Sequence, residues 1–286
     1  LQSKMMDLII TPGDFGQSYD NGPTVNRNDD VLVAPISIYD SKTALSRQAA
    51  RNLLGIDQSR PAVLVQLGVG EADLNAKMNA ALSGLLNWPN LQVVLTKEPI
   101  DANGKQLAPV GLDIKIIRHF PLANVLAAFD AAICAAGYNS VHELLPAQIP
   151  TVLISNIRGT DDQDARAKWC HDFGFALRAD QADLLDITAK VRELQNPEVR
   201  ARLSTKCAEL PDTTGGAEIA KILYDLATAK EPIRPSRITY IRLTVQEHIN
   251  RGLRHVAYLG LRRLGIVYRF LHPHIVVQVT RQEPPV

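Results

Sequence analysis

Residues 131–143, Ala-Ala-Ile-Cys-Ala-Ala-Gly-Tyr-Asn-Ser-Val-His-Glu, and 151–163, Thr-Val-Leu-Ile-Ser-Asn-Ile-Arg-Gly-Thr-Asp-Asp-Gln, decide the fold. Each is an apolar run without alternation that ends in a polar turn and continues into a helical stretch. Unbroken apolar runs of this kind suit strands buried on both faces, and the chain between them is long enough for a crossover helix. Two polar loops are therefore expected to meet at one sheet edge.

The same alternation extends outward from Pro61 to Ala229. Strands are expected at Ala62–Leu67, Leu91–Leu95, Ile114–Ile117, Ala131–Cys134, Thr151–Ile154 and Phe175–Leu177. Helices are expected at Leu74–Leu86, Leu122–Ala128, Ser140–Ala147, Gln163–Asp172, Ala182–Leu194, Glu198–Glu209 and Ala217–Ala227. The fold class is α/β, a doubly wound parallel sheet of Rossmann-like type. Before it, Met5–Ile10 and Val31–Val33 read as short strands joined by a loop rich in Gly, Asp and Asn. Ser41–Leu54 reads as a helix stopped by Gly55. Residues 96–112, with Pro99, Gly104, Pro109 and Gly111, read as an exposed loop.

The 286 residues are 46% hydrophobic, enough for a large core. Thirty-one Lys and Arg against 30 Asp and Glu give no reason to expect nucleic acid as a partner. Cys134, Cys170 and Cys207 are scattered and odd in number, which argues against a disulfide framework or zinc knuckle and for a reducing, cytoplasmic setting. Cys134 reads as a small core residue. No apolar stretch approaches the roughly 20 residues of a membrane span, and the first residues lack the shape of a signal peptide. From Arg234 onward, nine arginines face only Glu247 and Glu283, along an apolar pattern of helical spacing. Such a tail could rest on anionic headgroups, at the inner face of a membrane, or pack on a neighbouring domain with its arginines in water.

In an open parallel sheet, ligands bind outside the carboxyl ends of the strands. Three turns there carry candidate residues. Gly68 and Gly70 lie in Gln66-Leu67-Gly68-Val69-Gly70-Glu71, where glycine lets backbone approach a phosphate, although the third glycine of a dinucleotide fingerprint is missing. Gly137-Tyr138-Asn139-Ser140 precedes Glu143 by the spacing of a capping box, in which Ser140 caps the helix and Glu143 reaches back. The alternative is a diphosphate on Ser140 and the backbone N–H groups, with Glu143 accepting from ribose hydroxyls. The third turn runs from Asn156 to Asp162 and Gln163, which would face the same cleft at a distance suited to sugar hydroxyls. Asp162-Gln163-Asp164 also matches the Asp-x-Asp pattern of metal-dependent sugar transferases, but three letters are a cheap pattern and no metal or other cofactor is expected.

Taken together, Gly-Tyr-Asn-Ser-Val-His-Glu at 137–143, Leu-Leu-Pro-Ala-Gln-Ile-Pro at 144–150 and Asp-Asp-Gln-Asp-Ala-Arg-Ala at 161–167 resemble the donor-binding segment of GT-B glycosyltransferases. The resemblance is to family 28, the kind of the bacterial UDP-N-acetylglucosaminyl transferase of peptidoglycan synthesis, and it covers about Leu32 to Ala229. It implies that Gly137 to Ser140 hold the nucleotide diphosphate, Glu143 the ribose, and Asp162 with Gln163 the transferred sugar. It places His119 and Phe120 in the loop that meets the nucleobase, and Gly68 and Gly70 beneath the phosphates. His119 and His142 otherwise read as surface or cap residues. Two positions depart from the pattern. Ala135 stands where plant relatives carry a histidine, and Glu71 occupies a glycine-rich turn in which small residues are usual.

The resemblance further implies a donor-binding domain at 41–230, preceded at 1–40 by a remnant of an acceptor domain and its linker, and followed at 231–286 by the Arg-rich helical tail. The activity it implies is metal-independent, inverting transfer of a hexosyl group from a UDP-sugar, UDP being preferred on family frequency. The base that activates the acceptor hydroxyl is expected outside this chain, on an N-terminal acceptor domain or companion subunit, so no catalytic residue is assigned and the chain reads as a fragment or one subunit of a split enzyme. A non-catalytic nucleotide-binding or membrane-recruited interaction module is the alternative. A sugar-nucleotide epimerase would need more carboxylates around the sugar than the sequence offers.

Overall fold

A computed structural model describes residues 8–22, 30–68, 73–96, 111–157 and 161–228. The loop expected at 96–112 and the Arg-rich tail fall almost wholly outside these residues, and so do Gly70 and Glu71. The chain divides into a larger unit, Thr11–Asn28 with Leu32–Ala220, and a smaller one, Leu1–Ile10 with Asp29–Val31 and Lys221–Val286. In the smaller unit Val31 N donates to Ile9 O at 2.8 Å, and Lys221 pairs with Asp225 at 2.7 Å.

The larger unit holds the expected parallel sheet. Its strands are β3 (Ala62–Gln66), β4 (Gln92–Thr96), β5 (Asp113–Ile117), β6 (Ala131–Ala135), β7 (Thr151–Ile154) and β8 (Leu177–Ala179), in the spatial order β5-β4-β3-β6-β7-β8. Two short strands precede them, β1 (Ile10–Pro12) and β2 (Val31–Val33). The helices are α1 (Arg47–Leu54), α2 (Leu74–Leu85), α3 (Tyr138–Leu144), α4 (Gln163–Asp172), α5 (Leu184–Glu193), α6 (Pro197–Cys207) and α7 (Gly215–Thr228).

Alternate residues of the buried strands feed two cores. Leu64, Ala132, Cys134 and Leu153 pack on one face with Ala50 and Leu54 of α1, Val141 of α3 and Ala167 and Cys170 of α4. Val63, Val65, Val93, Ile133 and Val152 pack on the other with Leu82 and Leu85 of α2 and Ile187 and Val191 of α5. Both faces are covered, which is why these strands lack a polar alternate position. All three cysteines are buried free thiols, and burial raises their pKa values, so Cys134 is the core residue expected.

Some boundaries differ from expectation for local reasons. Leu122–Ala128 winds as a 3-10 helix, and β8 begins two residues later than the apolar run at Phe175. Residues 41–43 form a turn, so α1 starts at Arg47, where Ser46 accepts from Ala49 N. Gly55 ends that helix, as expected, at φ 63°.

The chain enters the sheet at β3, moves out to β5, and returns to β6 beside β3. The strand order therefore reverses between β3 and β6, and in doubly wound sheets the crevice outside the carboxyl ends at such a point is where ligands bind. Residues after β3 and β6 are Leu67-Gly68 and Ala136-Gly137, two of the turns singled out above.

Candidate functional site

Gly68 follows β3 at φ 79°, a left-handed conformation that a side chain would strain. On the other side of the crevice Gly137 is the residue before α3, at φ −64° and ψ 153°, and no side chain caps that helix. The capping box is thus corrected. The helix begins at Tyr138, two residues before Ser140, so Ser140 already lies in its first turn and cannot serve as the cap. Among the described residues the backbone N–H groups of Tyr138, Asn139 and Ser140 have no acceptor, and the Glu143 carboxyl has no hydrogen-bond or ion-pair partner. Glu143 is half-buried, and burial pushes its pKa up to about 7.

Asn139 is exposed and Ser140 half-buried. Tyr138 turns the other way. Its hydroxyl donates to Gly13 O at 2.8 Å and accepts from Ile36 N at 2.9 Å. His142 is fully buried rather than a surface or cap residue. Its ring lies between Tyr138 and Phe15, at centroid distances of 4.1 and 4.3 Å. Its Nδ1 lies 2.7 Å from Tyr138 O, while its Nε2 accepts from Phe15 N at 3.2 Å, so the two bonds together require the neutral Nδ1–H tautomer. Burial lowers its pKa and outweighs the bond to Tyr138, in keeping with a neutral ring.

The third turn is closed by side chains. Asp162 caps α4 by accepting from Ala165 N at 3.0 Å. Gln163 is buried. It accepts from Asn156 N through Oε1 at 3.0 Å and donates from Nε2 to Asp161 Oδ2 at 3.2 Å. Asn156, also buried, donates from Nδ2 to Leu67 O at 2.9 Å, next to Gly68. A Cβ on Gly137 would lie 3.8 Å from Gln163 Nε2, so the turns after β3, β6 and β7 converge. Beyond the edge strand β5, His119 is half-buried and Phe120 is 87% exposed.

Sequence reasoning missed the residue at the centre of this arrangement. Arg166 is 5% exposed, and its Nη1 donates to Ala136 O at 2.7 Å, immediately before Gly137. Its Nη2 donates to Asp161 Oδ1 at 2.7 Å and its Nε to Asp14 Oδ2 at 2.8 Å. Burial alone would lower its pKa, but the two carboxylates outweigh it and raise it. A signal was present in the sequence, because the buried residues of α4 are Gln163, Arg166, Ala167 and Cys170, a single stripe at helical spacing. Asp14 offered none, lying 152 residues away.

A separate apolar cavity of about 470 Å³ lies among Gly13, Phe15, Leu32, Pro35, Trp169 and Pro211, none of them a candidate named from the sequence. Among the described residues no group of three or more His, Cys, Asp or Glu could hold a metal ion, and no helix is long and apolar enough to cross a membrane.

Residues 65–247 match the model of the glycosyltransferase family 28 C-terminal domain. A UDP-N-acetylglucosamine–N-acetylmuramyl-(pentapeptide) pyrophosphoryl-undecaprenol N-acetylglucosamine transferase of Frankia casuarinae is 27% identical over 205 residues, 68% of this chain and 54% of the relative. The transferase of the same name from a Nocardioides species is 29% identical over 164 residues, 55% of this chain and 45% of the relative. The chain thus spans about half the length of the curated relatives it matches. Among solved structures, Acinetobacter baumannii MurG superimposes with a TM-score of 0.52 at 19% identity, covering 76% of this chain and 60% of that one. The kitacinnamycin glycotransferase gives 0.52 at 20% identity, covering 77% and 55%. These likenesses show the GT-B glycosyltransferase fold.

Proposed function

The chain belongs to glycosyltransferase family 28 through its C-terminal domain, and on that premise we propose that it binds a nucleotide-sugar donor, a UDP-sugar, in the crevice between β3 and β6. The observation that carries this reading is the turn at Gly137–Ser140. Among the described residues its backbone N–H groups stand without acceptors beside a half-buried Glu143 that has no partner there. Unmet donors beside an unmet acceptor suit a ligand that carries phosphate oxygens and hydroxyls together, as a nucleoside diphosphate does.

In this reading the diphosphate lies on the N–H groups and hydroxyl of Ser140, with Gly68 and Gly70 beneath it. Glu143 accepts from the ribose, and Phe120 with His119 flanks the base. Asp162 and Gln163 meet the sugar, the first through carboxylate capacity left beside its cap bond, the second beside its bonds to Asn156 and Asp161. Transfer proceeds by inverting displacement at the anomeric carbon, with N–H groups stabilising the departing diphosphate and no metal taking part. The hydroxyl-activating base lies on an acceptor domain or companion subunit outside this chain. The relatives' names give N-acetylglucosamine as the sugar and a pyrophosphoryl-undecaprenol as the acceptor, and we carry both over as the first to try. On this reading the protein works at the cytoplasmic face of a membrane as a peripheral protein, which the lipid acceptor in the relatives' names and the nine arginines from Arg234 onward support.

A thermal-shift and calorimetry panel of UDP-N-acetylglucosamine, UDP, GDP, dTDP and CDP, with and without EDTA, tests the reading. A ligand at 100 times its Kd stabilises the native state by about 2.7 kcal/mol. Stabilisation by the uridine compounds, unchanged by EDTA, is the expected result. No shift with any nucleotide would overturn it, and sugar transfer by the isolated chain would overturn the external base.

A further inference from the structure

Arg166 stands directly behind two of the three turns, those after β6 and β7. Its guanidinium holds Ala136 O, Asp161 and Asp14 at once. From Asp161 the hydrogen bonds continue without a break through Gln163 to Asn156 and on to Leu67 O. One chain of polar contacts therefore ties the ends of β3, β6 and β7 together, and Arg166, Gln163 and Asn156 are each at most 5% exposed. Its far end is Asp14, whose Oδ1 accepts from Gly16 N at 2.9 Å. Residues 13–16 are held to α3 by two further bonds, from the Tyr138 hydroxyl to Gly13 O and from Phe15 N to His142. Gly16 packs so closely that a Cβ there would lie 2.7 Å from Arg166 Cα.

We infer that Asp14 and Arg166 are positioning residues of the donor crevice: residues 13–16, remote in sequence, set the geometry of the Gly137 and Asn156 turns through the Arg166 fork. Such a fork holds three partners in fixed directions, which a lysine cannot reproduce. Without the Asp14 carboxylate, the guanidinium keeps Asp161 and Ala136 O but loses the contact that fixes its rotation, and the backbone at 136–137 gains freedom. Binding sites lose affinity steeply when their groups shift by fractions of an ångström. The inference rests on the donor reading for its consequence, though not for its geometry.

The test compares the wild-type chain with Asp14→Asn, Arg166→Lys and the remote core variant Ile187→Val, which weakens the fold away from the crevice. Asp14 is partly exposed, so its variant keeps the fold even if Arg166→Lys does not. Amide hydrogen exchange of the ligand-free chain is read at Ala136, Val141 and Asn156, whose N–H groups donate to Ile154 O, Gly137 O and Gln163 Oε1, and the Kd for UDP-N-acetylglucosamine is measured below the melting temperature. Asp14→Asn is expected to speed exchange at those amides about tenfold and to weaken binding about tenfold, whereas Ile187→Val changes neither. Equal exchange at those amides in Asp14→Asn and Ile187→Val would overturn the inference. If the wild-type chain binds no nucleotide sugar, the donor reading falls and the exchange comparison alone decides the positioning role.

Discussion

The two ends of β6 are each clamped by a buried arginine, and only one of them stands beside a turn whose hydrogen-bonding groups are unmet among the described residues. At the amino end Arg51, fully buried, donates from Nε to Ala128 O at 2.9 Å, from Nη1 to the carbonyls of Asp57 and Arg60 at 2.6 and 2.7 Å, and from Nη2 to Asp130 at 2.8 Å. Asp130 in turn accepts from Ala62 N of β3 at 2.7 Å and pairs with Arg47. That network is closed on itself. At the carboxyl end Arg166 holds a comparable set of partners, yet next to it the Gly137 turn and Glu143 keep unmet hydrogen-bonding capacity. A buried ionic clamp is therefore not a sign of function in itself.

The sharpest way to break this contrast is Arg51→Met. Leaving Asp130 and the carbonyls of Ala128, Asp57, Gln58 and Arg60 without this donor should cost about 3–5 kcal/mol in urea unfolding, while the fraction still folded binds UDP-N-acetylglucosamine as the wild type does. A change in affinity at constant fold would mean that the amino end also serves the site.

At the other end, Glu143→Ala should weaken the same ligand about tenfold, roughly 1.4 kcal/mol. Its thermal stability without ligand should not drop, because no cap bond is lost. A loss of stability with unchanged Kd would restore the capping role that the position of Tyr138 excludes.

A smaller effect concerns pH. The Glu143 carboxyl ionises near 7 in the folded chain and near an ordinary 4.5 when unfolded. Between these values the folded state binds the extra proton, so this residue's contribution to stability falls as pH rises through that window. Glu143→Gln should accordingly flatten the decline and be more stable than wild type at pH 8 by on the order of 1 kcal/mol, after allowance for solvent screening. Equal stability at pH 8 would show that the carboxyl is better hydrated than its position implies.

Asp162→Ala should cost about 1 kcal/mol through the lost cap of α4. If Asp162 also meets the sugar, affinity for UDP-N-acetylglucosamine falls while that for UDP is unchanged. Loss of stability alone would confine it to the cap.

The strands were legible because a doubly covered sheet leaves no polar face, so Ala62–Gln66, Ala131–Ala135 and Thr151–Ile154 read as plain apolar runs wherever the chain is placed. Helix α4 was legible from Gln163 to Asp172 because its cap and first turn sit in sequence beside it. The crevice could be located from the same runs, since ligands collect where parallel strands end. Misreadings arose where a local pattern had two physical outcomes. Ser140 with Glu143 satisfies the spacing of a capping box, but whether the box forms depends on where α3 starts. That start is set by the packing of Tyr138 and His142 under residues 13–16. His142, polar by type, is buried because two aromatic rings and two backbone groups supply what water would.

Sequence alone therefore determined the elements, the parallel sheet and the edge at which its polar turns meet, because these follow from hydrophobic periodicity and turn chemistry over short stretches of chain. Tertiary structure decided which polar residues are held and which remain open. Arg166 meets Asp14 across 152 positions, and Asn156 meets Leu67 across 89. No local spacing encodes such pairings, since the cost of taking each polar group out of water is offset only by the partner that the tertiary fold brings to it.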